Sequence, residues 1–334
     1  MRVVVIGGTG HVGTFLVPRL VNAGHEVIVA SRGKREPYLA HEAWKKVRHI
    51  GIDRAAEDEA GTFGPRIAKL DADAIVDMIC FTSESAQQLI SALKQHLSAP
   101  ASPVPLLLHC GTMWVHGRPT TVPVTEDMPR HPFGDYGIKK AAIEKLLLDA
   151  ARRGDVRATI LHPGHMVGPG WNPVNPAGHF NPDVFRRIAR GDVLTLPNEG
   201  METVHHVHAD DVAQAFELAL TKPEASVGES FHVVSPAPMT LRVYAEAMYA
   251  HFGQQPRLEF LPWEEWRQTV TEQEAAATWD HIAHSPHGSI AKARQKLAYA
   301  PRYSSLEAVI ESISVRDDLA TPDRDSAGTR RQSK

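Results

Sequence analysis

Short apolar runs alternate with helical patterns through the first half of the chain. Residues 2–6 form a β-branched run that ends at two glycines, as is typical of a strand buried on both faces. Apolar positions then recur at helical spacing as far as Gly24, and a second apolar run follows. This order repeats, which predicts a parallel sheet with helices on both faces. The predicted strands are 2–6, 26–30, 47–52, 74–79, 106–110 and 157–161, and later helices lie near 66–70, at 84–96 and at 136–152.

Six strands are the number of a doubly wound parallel sheet of the Rossmann type, so the predicted fold class is α/β. Residues 1–165 are assigned to this first domain. A loop rich in proline and glycine follows, and residues 166–316 are assigned mostly to a smaller C-terminal cap, with elements returning to the first domain. The tail 317–334 is polar and is expected to be disordered. Helices are predicted in the second part at 183–190, 209–221, 240–252, 263–282 and 304–315.

Composition and charge exclude several classes of protein. The 334 residues are 43% hydrophobic and 22% charged, which is ordinary globular usage. The chain has 36 basic and 39 acidic residues, so its net charge would not attract nucleic acid or an anionic membrane. Two cysteines, no secretory pattern and no apolar stretch of membrane-spanning length predict a soluble, reduced, cytoplasmic protein.

A glycine-rich turn stands directly between the first strand and the first helix. Its glycines allow the backbone to approach a pyrophosphate, and the amides at the start of the helix face the anion. An ordinary glycine turn is the alternative, but the position after a strand and before a helix favours a dinucleotide cofactor. The expected cofactor contacts in this turn are Gly7, Thr9, Gly10, His11, Val12 and Gly13.

The residues after the second and third strands bear on the choice of cofactor. An NAD enzyme usually has Asp or Glu after the second strand, to accept from the ribose 2′-hydroxyl. This chain has Arg32, whose guanidinium suits a 2′-phosphate, so NADP is favoured and NAD is the alternative. Lys34 and Arg35 are more simply a solvated loop. Asp53 is placed to accept from the adenine amino group.

Tyr136 and Lys140 are four residues apart, so a helix presents both on one face. A nearby ammonium group favours the phenolate, and a phenol so placed can exchange a proton with a substrate alcohol or ketone while a hydride moves. The spacing alone also fits a plain surface pair. Thr112 adds a hydroxyl just after the fifth strand, at the edge of the sheet where ligands bind.

With these motifs the chain resembles the extended branch of the short-chain dehydrogenase/reductase superfamily, the NAD-dependent epimerase/dehydratase family. The resemblance spans nearly everything before the tail. It also rests on Val115-His116-Gly117, Pro163-Gly164, Val167-Gly168-Pro169, His208-Ala209-Asp210-Asp211-Val212-Ala213, Lys292-Ala293-Arg294, Leu297 and Pro301.

The resemblance implies a role for each matching residue. It makes Thr112 the catalytic Ser/Thr, Tyr136 the proton-transfer residue and Lys140 its partner, which also holds the cofactor ribose. Pro163 would line the nicotinamide end of the cofactor site, and Asn181 would contact substrate at the start of a cap helix. Family members often pair as homodimers, through helices such as residues 136–152.

Departures from the family pattern narrow the implied activity. Met113 and Trp114 stand where family dehydratases carry an Asp-Glu pair, which disfavours dehydration. Val204-His205-His206 stands where nucleotide-sugar enzymes commonly have an Arg for the diphosphate, which disfavours a nucleoside-diphosphate substrate. The segment 31–34 also resembles a subgroup related to chloroplast RNA-binding proteins, some of which have lost the catalytic residues.

Several histidines and both cysteines stay outside the predicted chemistry. His281, His284 and His287 form one group and His205, His206 and His208 another, but neither has zinc-like spacing, so no metal is predicted. These histidines are interpreted as structural or surface residues, whereas His165 and His179 lie in the loop over the expected pocket. Cys80 and Cys110 are interpreted as buried thiols.

The sequence therefore predicts an NAD(P)-dependent oxidoreductase or epimerase. It would transfer a hydride at a secondary alcohol or ketone of a sugar or sugar derivative, using the set Thr112, Tyr136 and Lys140. The alternative is a nucleotide-sensing or RNA-binding protein that uses the same fold without turnover. The expected partner is a small-molecule substrate bound between the first domain and a substrate-binding cap, with no nucleic acid and no membrane.

Overall fold

The computed structural model describes residues 1–96 and 104–316. The predicted tail 317–334 lies outside the described residues. The strands are β1 (Arg2–Ile6), β2 (Glu26–Ser31), β3 (Arg48–Gly51), β4 (Ala74–Asp77), β5 (Leu106–Cys110), β6 (Arg157–Pro163), β7 (His165–Val167), β8 (Leu194–Pro197), β9 (Thr203–Val204), β10 (His206–His208), β11 (Ser230–Val233), β12 (Met239–Thr240) and β13 (Leu258–Leu261).

The helices are interspersed among these strands. They are α1 (His11–Asn22), α2 (Arg54–Glu59), α3 (Phe63–Ala68), α4 (Ser83–His96), α5 (Gly134–Arg152), α6 (Asp183–Ala189), α7 (Ala209–Thr221), α8 (Pro223–Ser226), α9 (Leu241–His251), α10 (Trp263–Trp266), α11 (Glu272–His284), α12 (Ala291–Leu297) and α13 (Ser305–Ser314). Among the described residues, no helix is both long enough and apolar enough to span a bilayer.

A parallel sheet of seven strands, in the order β11-β6-β5-β4-β1-β2-β3, forms the centre of the molecule. This confirms the doubly wound α/β fold. The prediction of six strands is wrong, because β11 joins the sheet from beyond residue 165. The chain order reverses between β1 and β4, which opens a crevice at their carboxyl ends, the usual ligand position in such sheets.

The added strand, β11, lies at the edge of the sheet and carries two polar side chains, Ser230 and His232. Its free edge is covered by side chains: the Glu126 carboxylate accepts from the His232 N–H at 2.8 Å, and the Lys292 ammonium donates to the Ser230 carbonyl at 2.8 Å. A sheet edge satisfied in this way does not need the continuous apolar run from which strands were predicted.

Apolar side chains pack on both faces of the sheet and again within the cap. One face, which includes Val3 and Val5, packs against α1 and α7, and the other, which includes Val4 and Ile6, packs against α3, α4 and α5. A third cluster joins α6, α9 and α13 with the cap strands. The division into domains at residue 165 stays a prediction.

The predicted helix 263–282 is two helices in the structure. It breaks after Trp266, and α11 begins where the Thr271 hydroxyl accepts from the Glu274 N–H at 3.2 Å. The Glu274 carboxylate in turn accepts from the Thr271 N–H at 2.8 Å, which completes a capping box. Because α11 begins as a separate helix after this cap, it extends to His284, two residues beyond the predicted end.

Candidate functional site

The glycine-rich turn connects β1 to α1 at the carboxyl edge of the sheet. Gly7 has a φ of +81°, and its N–H donates to the Ala30 carbonyl of β2 at 2.8 Å. Gly13, in the first turn of α1, packs so closely on Gly8 that a Cβ atom would lie 2.0 Å from the Gly8 oxygen. Gly10 precedes the helix and has no side chain to cover the first amides. The turn therefore fits a pyrophosphate, which needs close backbone approach and open N–H groups.

Two predicted cofactor residues of this turn, His11 and Val12, have buried side chains, which leaves only their backbone for a cofactor contact. The side chain of Val12 lies in the core, 5% exposed. The His11 ring is also buried and stacks on Trp171, with ring centroids 4.6 Å apart. Burial lowers the pKa of His11 to about 3, so its imidazole is neutral. Neither side chain adds charge at the anion position.

Arg32 and Asp53 lie at the carboxyl ends of the strands β2 and β3. Arg32 follows the last residue of β2 and is exposed; within residues 1–96 and 104–316 it forms no hydrogen bond or ion pair. Asp53 directly precedes α2, is exposed and makes no side-chain cap to that helix. Both side chains are thus at the edge where a cofactor lies and are uncommitted to the described structure.

Lys140 is fixed at the centre of the same edge. It is 2% exposed, and its ammonium group donates to the carbonyl oxygens of Cys80 and Cys110, both at 2.8 Å. These carbonyls lie beyond β4 and at the end of β5, so one side chain bridges two neighbouring strands. Burial lowers the pKa of Lys140 from its usual value.

Thr112 and Tyr136 lie beside Lys140. The Thr112 hydroxyl accepts from the Trp114 N–H at 3.3 Å and begins the short 3₁₀ turn Met113–His116. The Lys140 nitrogen lies 5.9 Å from the centre of the Tyr136 ring. Tyr136 is 41% exposed as a whole, but loss of water around its phenol raises the pKa of Tyr136, and the nearby Thr112 hydroxyl partly opposes the rise. The structure therefore brings the three predicted catalytic residues together.

A buried polar chain behind Thr112 was not predicted from the sequence. His162, at 0% exposure, accepts from the Thr112 N–H at 3.0 Å, and its other ring nitrogen lies 3.0 Å from Glu144. Glu144 also pairs with Arg130, at 2.7 and 3.0 Å. Burial acts to raise the pKa of Glu144, but its contacts with His162 and Arg130 outweigh this and hold the pKa well below its usual range. Glu144 could have been identified from the sequence, because the four-residue spacing of Tyr136 and Lys140 continues to it.

Aromatic rings line the cap side of the site. Trp114 contacts Tyr136 edge-on at 5.9 Å and stacks on His284 of α11 at 4.1 Å. His281, also of α11, lies 4.7 Å from His165, and both ring nitrogens of His165 are buried without a hydrogen-bond partner in the described part of the chain. From the sequence, His281 and His284 were interpreted only as structural or surface residues, because their group lacks zinc-like spacing.

Asn181 has structural partners in the cap. Its amide nitrogen donates to Glu274 at 2.6 Å and its oxygen accepts from the Asp183 N–H at 2.9 Å, at the start of α6. The substrate contact expected of Asn181 stays a prediction. Pro163 ends β6 beside β11 and is buried. The contact with the nicotinamide end of the cofactor expected of Pro163 stays a prediction.

One buried group of the described residues has the composition of a metal site. Asp77, Cys80 and His109 offer ligand atoms within 4.8 Å of one another. Arg54 already binds the Asp77 carboxylate at 2.5 Å, and the Lys140 ammonium sits on the Cys80 carbonyl. Burial raises the pKa of Cys80 to about 12, so the thiol stays protonated. Two fixed cations and a neutral thiol disfavour a bound cation, and we assign no metal there.

Comparisons with known proteins agree with the geometry. The model of the NAD dependent epimerase/dehydratase family matches residues 3–233. A 2'-dehydrokanamycin reductase of Streptomyces kanamyceticus is 28% identical over 255 residues, covering 76% of this chain and 67% of the relative. A UDP-glucose 4-epimerase of Mycolicibacterium smegmatis is 26% identical over 275 residues, covering 78% of this chain and 86% of the relative.

A solved structure gives the same result for the fold. The UDP-glucuronic acid 4-epimerase from Bacillus cereus, in complex with UDP-glucuronic acid and NAD, aligns with a TM-score of 0.69 at 18% identity. The alignment covers 96% of this chain and 100% of the other. At this identity the likeness concerns the fold alone.

Proposed function

Because the chain belongs to the NAD dependent epimerase/dehydratase family and is an NAD(P)-dependent enzyme of that family, we propose a specific chemistry for it. It catalyses hydride transfer at a secondary alcohol or ketone of a sugar or sugar derivative, with Thr112, Tyr136 and Lys140 as the catalytic set. The observation that carries this proposal is the meeting of these three side chains at the carboxyl edge of the sheet, beside a turn that fits a pyrophosphate.

Each catalytic side chain has a distinct task. Tyr136 holds or accepts the proton of the substrate oxygen, and Thr112, whose hydroxyl lies near the phenol, orients that oxygen. Lys140 places a positive charge 5.9 Å from the centre of the Tyr136 ring, and a cation near a phenol favours the phenolate. When bound, the nicotinamide cofactor supplies or accepts the hydride.

The family uses NAD or NADP, and we propose NADP as the preferred cofactor of this chain. The support is Arg32, an exposed guanidinium at the end of β2 with no ion-pair partner in the described part of the chain, where NAD enzymes place a carboxylate. Asp53, at the end of β3, is the proposed partner of the adenine amino group. We keep the proposed first domain at 1–165, with the substrate bound between it and the cap 166–316.

The substrate we propose is a sugar without a nucleoside diphosphate. His205 and His206, which stand in place of the usual diphosphate-binding Arg, are fully buried and bond to the carbonyls of Ser235 and Val174. Burial lowers the pKa of His205 to about 4 and that of His206 to about 3, so neither is a cation at neutral pH. Without a cation at these two positions, a diphosphate would have no counter-charge there, which favours a substrate that offers uncharged hydroxyl groups.

The reductase relative, whose name carries no nucleotide, gives this proposal its first candidates. Keto and hydroxy forms of sugars and glycosides without a diphosphate are therefore the substrates to try first.

The Tyr136→Phe variant tests the catalytic set. Loss of the phenol hydroxyl removes the proton-transfer group, so turnover should fall by about 10²- to 10⁴-fold. Binding of NADPH, followed by its fluorescence, should stay nearly unchanged because the aromatic ring remains. Turnover equal to that of the unaltered enzyme would remove Tyr136 from the mechanism.

A simpler measurement distinguishes an epimerase from a net reductase or dehydrogenase. The purified protein is denatured and any released nucleotide is identified by mass spectrometry. A stoichiometric, retained nucleotide indicates an epimerase, in which the hydride returns within one turnover, whereas an empty protein that takes up NADPH indicates a net reductase or dehydrogenase. Salt-sensitive RNA binding without cofactor-dependent turnover would instead support the non-catalytic alternative.

A further inference from the structure

His162 accepts a hydrogen bond from the backbone of Thr112 rather than from its side chain. The Thr112 N–H lies 3.0 Å from Nδ1 of His162, and both residues are buried. Because a buried N–H without a hydrogen-bond partner is strongly destabilising, this contact favours one position of the loop that follows β5. The side-chain hydroxyl of Thr112 is attached to this backbone, so its position depends on the same contact.

The tautomer of His162 follows from its two partners. Because Nδ1 accepts from the Thr112 N–H, the ring proton lies on Nε2, 3.0 Å from the Glu144 carboxylate. Glu144 is in turn held by both branches of the Arg130 guanidinium, and Arg130 also reaches the Ser230 hydroxyl of β11 at 3.3 Å. Every link of this chain is donor to acceptor, so the imidazole has one orientation.

Space around the ring is also restricted. A Cβ atom on Gly111 would lie 2.4 Å from Nδ1 of His162, so only glycine fits between β5 and the imidazole. The ring is thereby packed directly under the backbone that leads from Cys110 to Thr112. Lys140 holds the Cys110 carbonyl from the other side, at 2.8 Å.

We propose that His162 is a positioning residue, which sets the height and direction of the Thr112 hydroxyl at the active site through the Thr112 N–H. Glu144 and Arg130 act through His162 by fixing its tautomer. The helix α5 then serves the site three times along one face, with Tyr136 at the reacting oxygen, Lys140 at the sheet edge and Glu144 beneath Thr112. This inference rests on the catalytic role proposed for Thr112.

Two isosteric variants separate the two contacts of the ring. In His162→Asn the amide oxygen replaces Nδ1 and can still accept from Thr112, while the contact with Glu144 is lost. In His162→Gln the amide nitrogen replaces Nε2 and can still donate to Glu144, while Thr112 loses its acceptor. Circular dichroism and thermal melting establish that both variants are folded before they are compared.

The expected result is an asymmetry between the variants. His162→Gln should lose about 10- to 100-fold in kcat, as is typical when a group supporting the reacting residues is removed, with KM and the Kd for NADPH unchanged. His162→Asn should keep kcat within about 3-fold of the unaltered enzyme. Equal losses in both variants, or full activity in His162→Gln, would overturn the proposal, because a merely structural histidine gives no such asymmetry.

A second measurement does not require a substrate. Amide hydrogen exchange of the segment 111–117, followed by mass spectrometry, should accelerate in His162→Gln and remain slow in His162→Asn. Unchanged exchange in His162→Gln would show that the Thr112 N–H does not depend on this acceptor. If the unaltered enzyme turns over no sugar, the proposed function fails, while the exchange data still decide the role of His162.

Discussion

Single residues at the carboxyl edge of the sheet combine a structural task with a proposed chemical one. Lys140 is the clearest case, because its buried ammonium bridges the ends of two strands and lies 5.9 Å from the centre of the Tyr136 ring. A buried cation of this kind persists only when its hydrogen bonds are satisfied. The two carbonyls accept hydrogen bonds from the ammonium and hold it in this position.

Arg32 allows a prediction about cofactor choice. We expect Arg32→Ala to weaken binding of NADPH by about 10- to 100-fold, since a charge-assisted contact to phosphate is lost, and to affect NADH little. Fluorescence titration of the two reduced cofactors measures both values. Lys34→Ala is the matched control, because it removes an equal charge from the same exposed loop. Equal weakening of NADPH and NADH binding would show that Arg32 does not bind the 2′-phosphate.

At the scale of elements, the connection from β1 to α1 depends on the close contact of two glycines. A methyl group on Gly13 would meet the backbone of Gly8 at 2.0 Å, and backbone cannot swing aside as a side chain can. Gly13→Ala should therefore cost about 1–3 kcal/mol of stability and abolish cofactor binding. Gly51→Ala is the control, since a methyl group there meets nothing within 4 Å.

Chemical denaturation and NADPH titration of the two glycine variants give the required comparison. A Gly13→Ala protein that binds NADPH normally would show that the turn relaxes without loss of its anion site. If Gly51→Ala is as damaging as Gly13→Ala, the loss of stability and NADPH binding comes from replacing any glycine and not from the contact between Gly13 and Gly8.

Elements with a local signature were predictable from the sequence, and those that depend on distant partners were not. The strands β1, β4 and β5 are buried on both faces and therefore leave continuous apolar runs. In contrast, β11 reads as a polar segment until Glu126 and Lys292 are known to cover its edge. The start of α11 is an exception, because its capping box of Thr271 and Glu274 is a local signature that the prediction of one continuous helix overlooked.

The same distinction applies to the candidate site. Thr112, Tyr136 and Lys140 could be found because the strand end and the four-residue helical spacing mark them. His162 is 50 positions from Thr112, and Arg130 is 14 from Glu144 across a loop, so no spacing rule joins them. Their link exists only once β5, β6 and α5 are packed together.

At the scale of the whole molecule, buried histidines dominate the expected response to acid. Burial holds the pKa of eight of them far below 6.5 within the described ranges, which makes the folded chain a poor acceptor of protons. These are His11, His109, His116, His165, His205, His206, His232 and His281.

The sign of the effect follows from proton binding. Below pH 6.5 the unfolded chain takes up protons at these sites and the folded chain does not, so stability falls by about 1.4 kcal/mol per pH unit for each histidine. Asp211 acts in the opposite direction, because burial raises its pKa to about 6, but it offsets only one of the eight. We expect acid unfolding with a midpoint between about pH 5 and 6, since total stability is about 5–15 kcal/mol.

Far-ultraviolet circular dichroism from pH 8 to pH 3 measures this midpoint, and the steepness of the transition reports how many protons are taken up. A fold that persists below about pH 4 would mean that these imidazoles are protonated without loss of structure, contrary to their burial.

The helix α11 is set on the loop 175–181 by its own contacts, with the Thr278 hydroxyl on the Ala177 carbonyl at 3.0 Å and His281 on the Gly178 carbonyl at 2.6 Å. Only its last turn reaches Trp114. A change of substrate preference can therefore come from substitutions in α11 alone, while Tyr136, Lys140 and Glu144 stay the same. We expect related enzymes with different substrates to differ first between residues 272 and 284. Replacing α11 by the corresponding helix of such a relative should transfer the substrate preference of that relative.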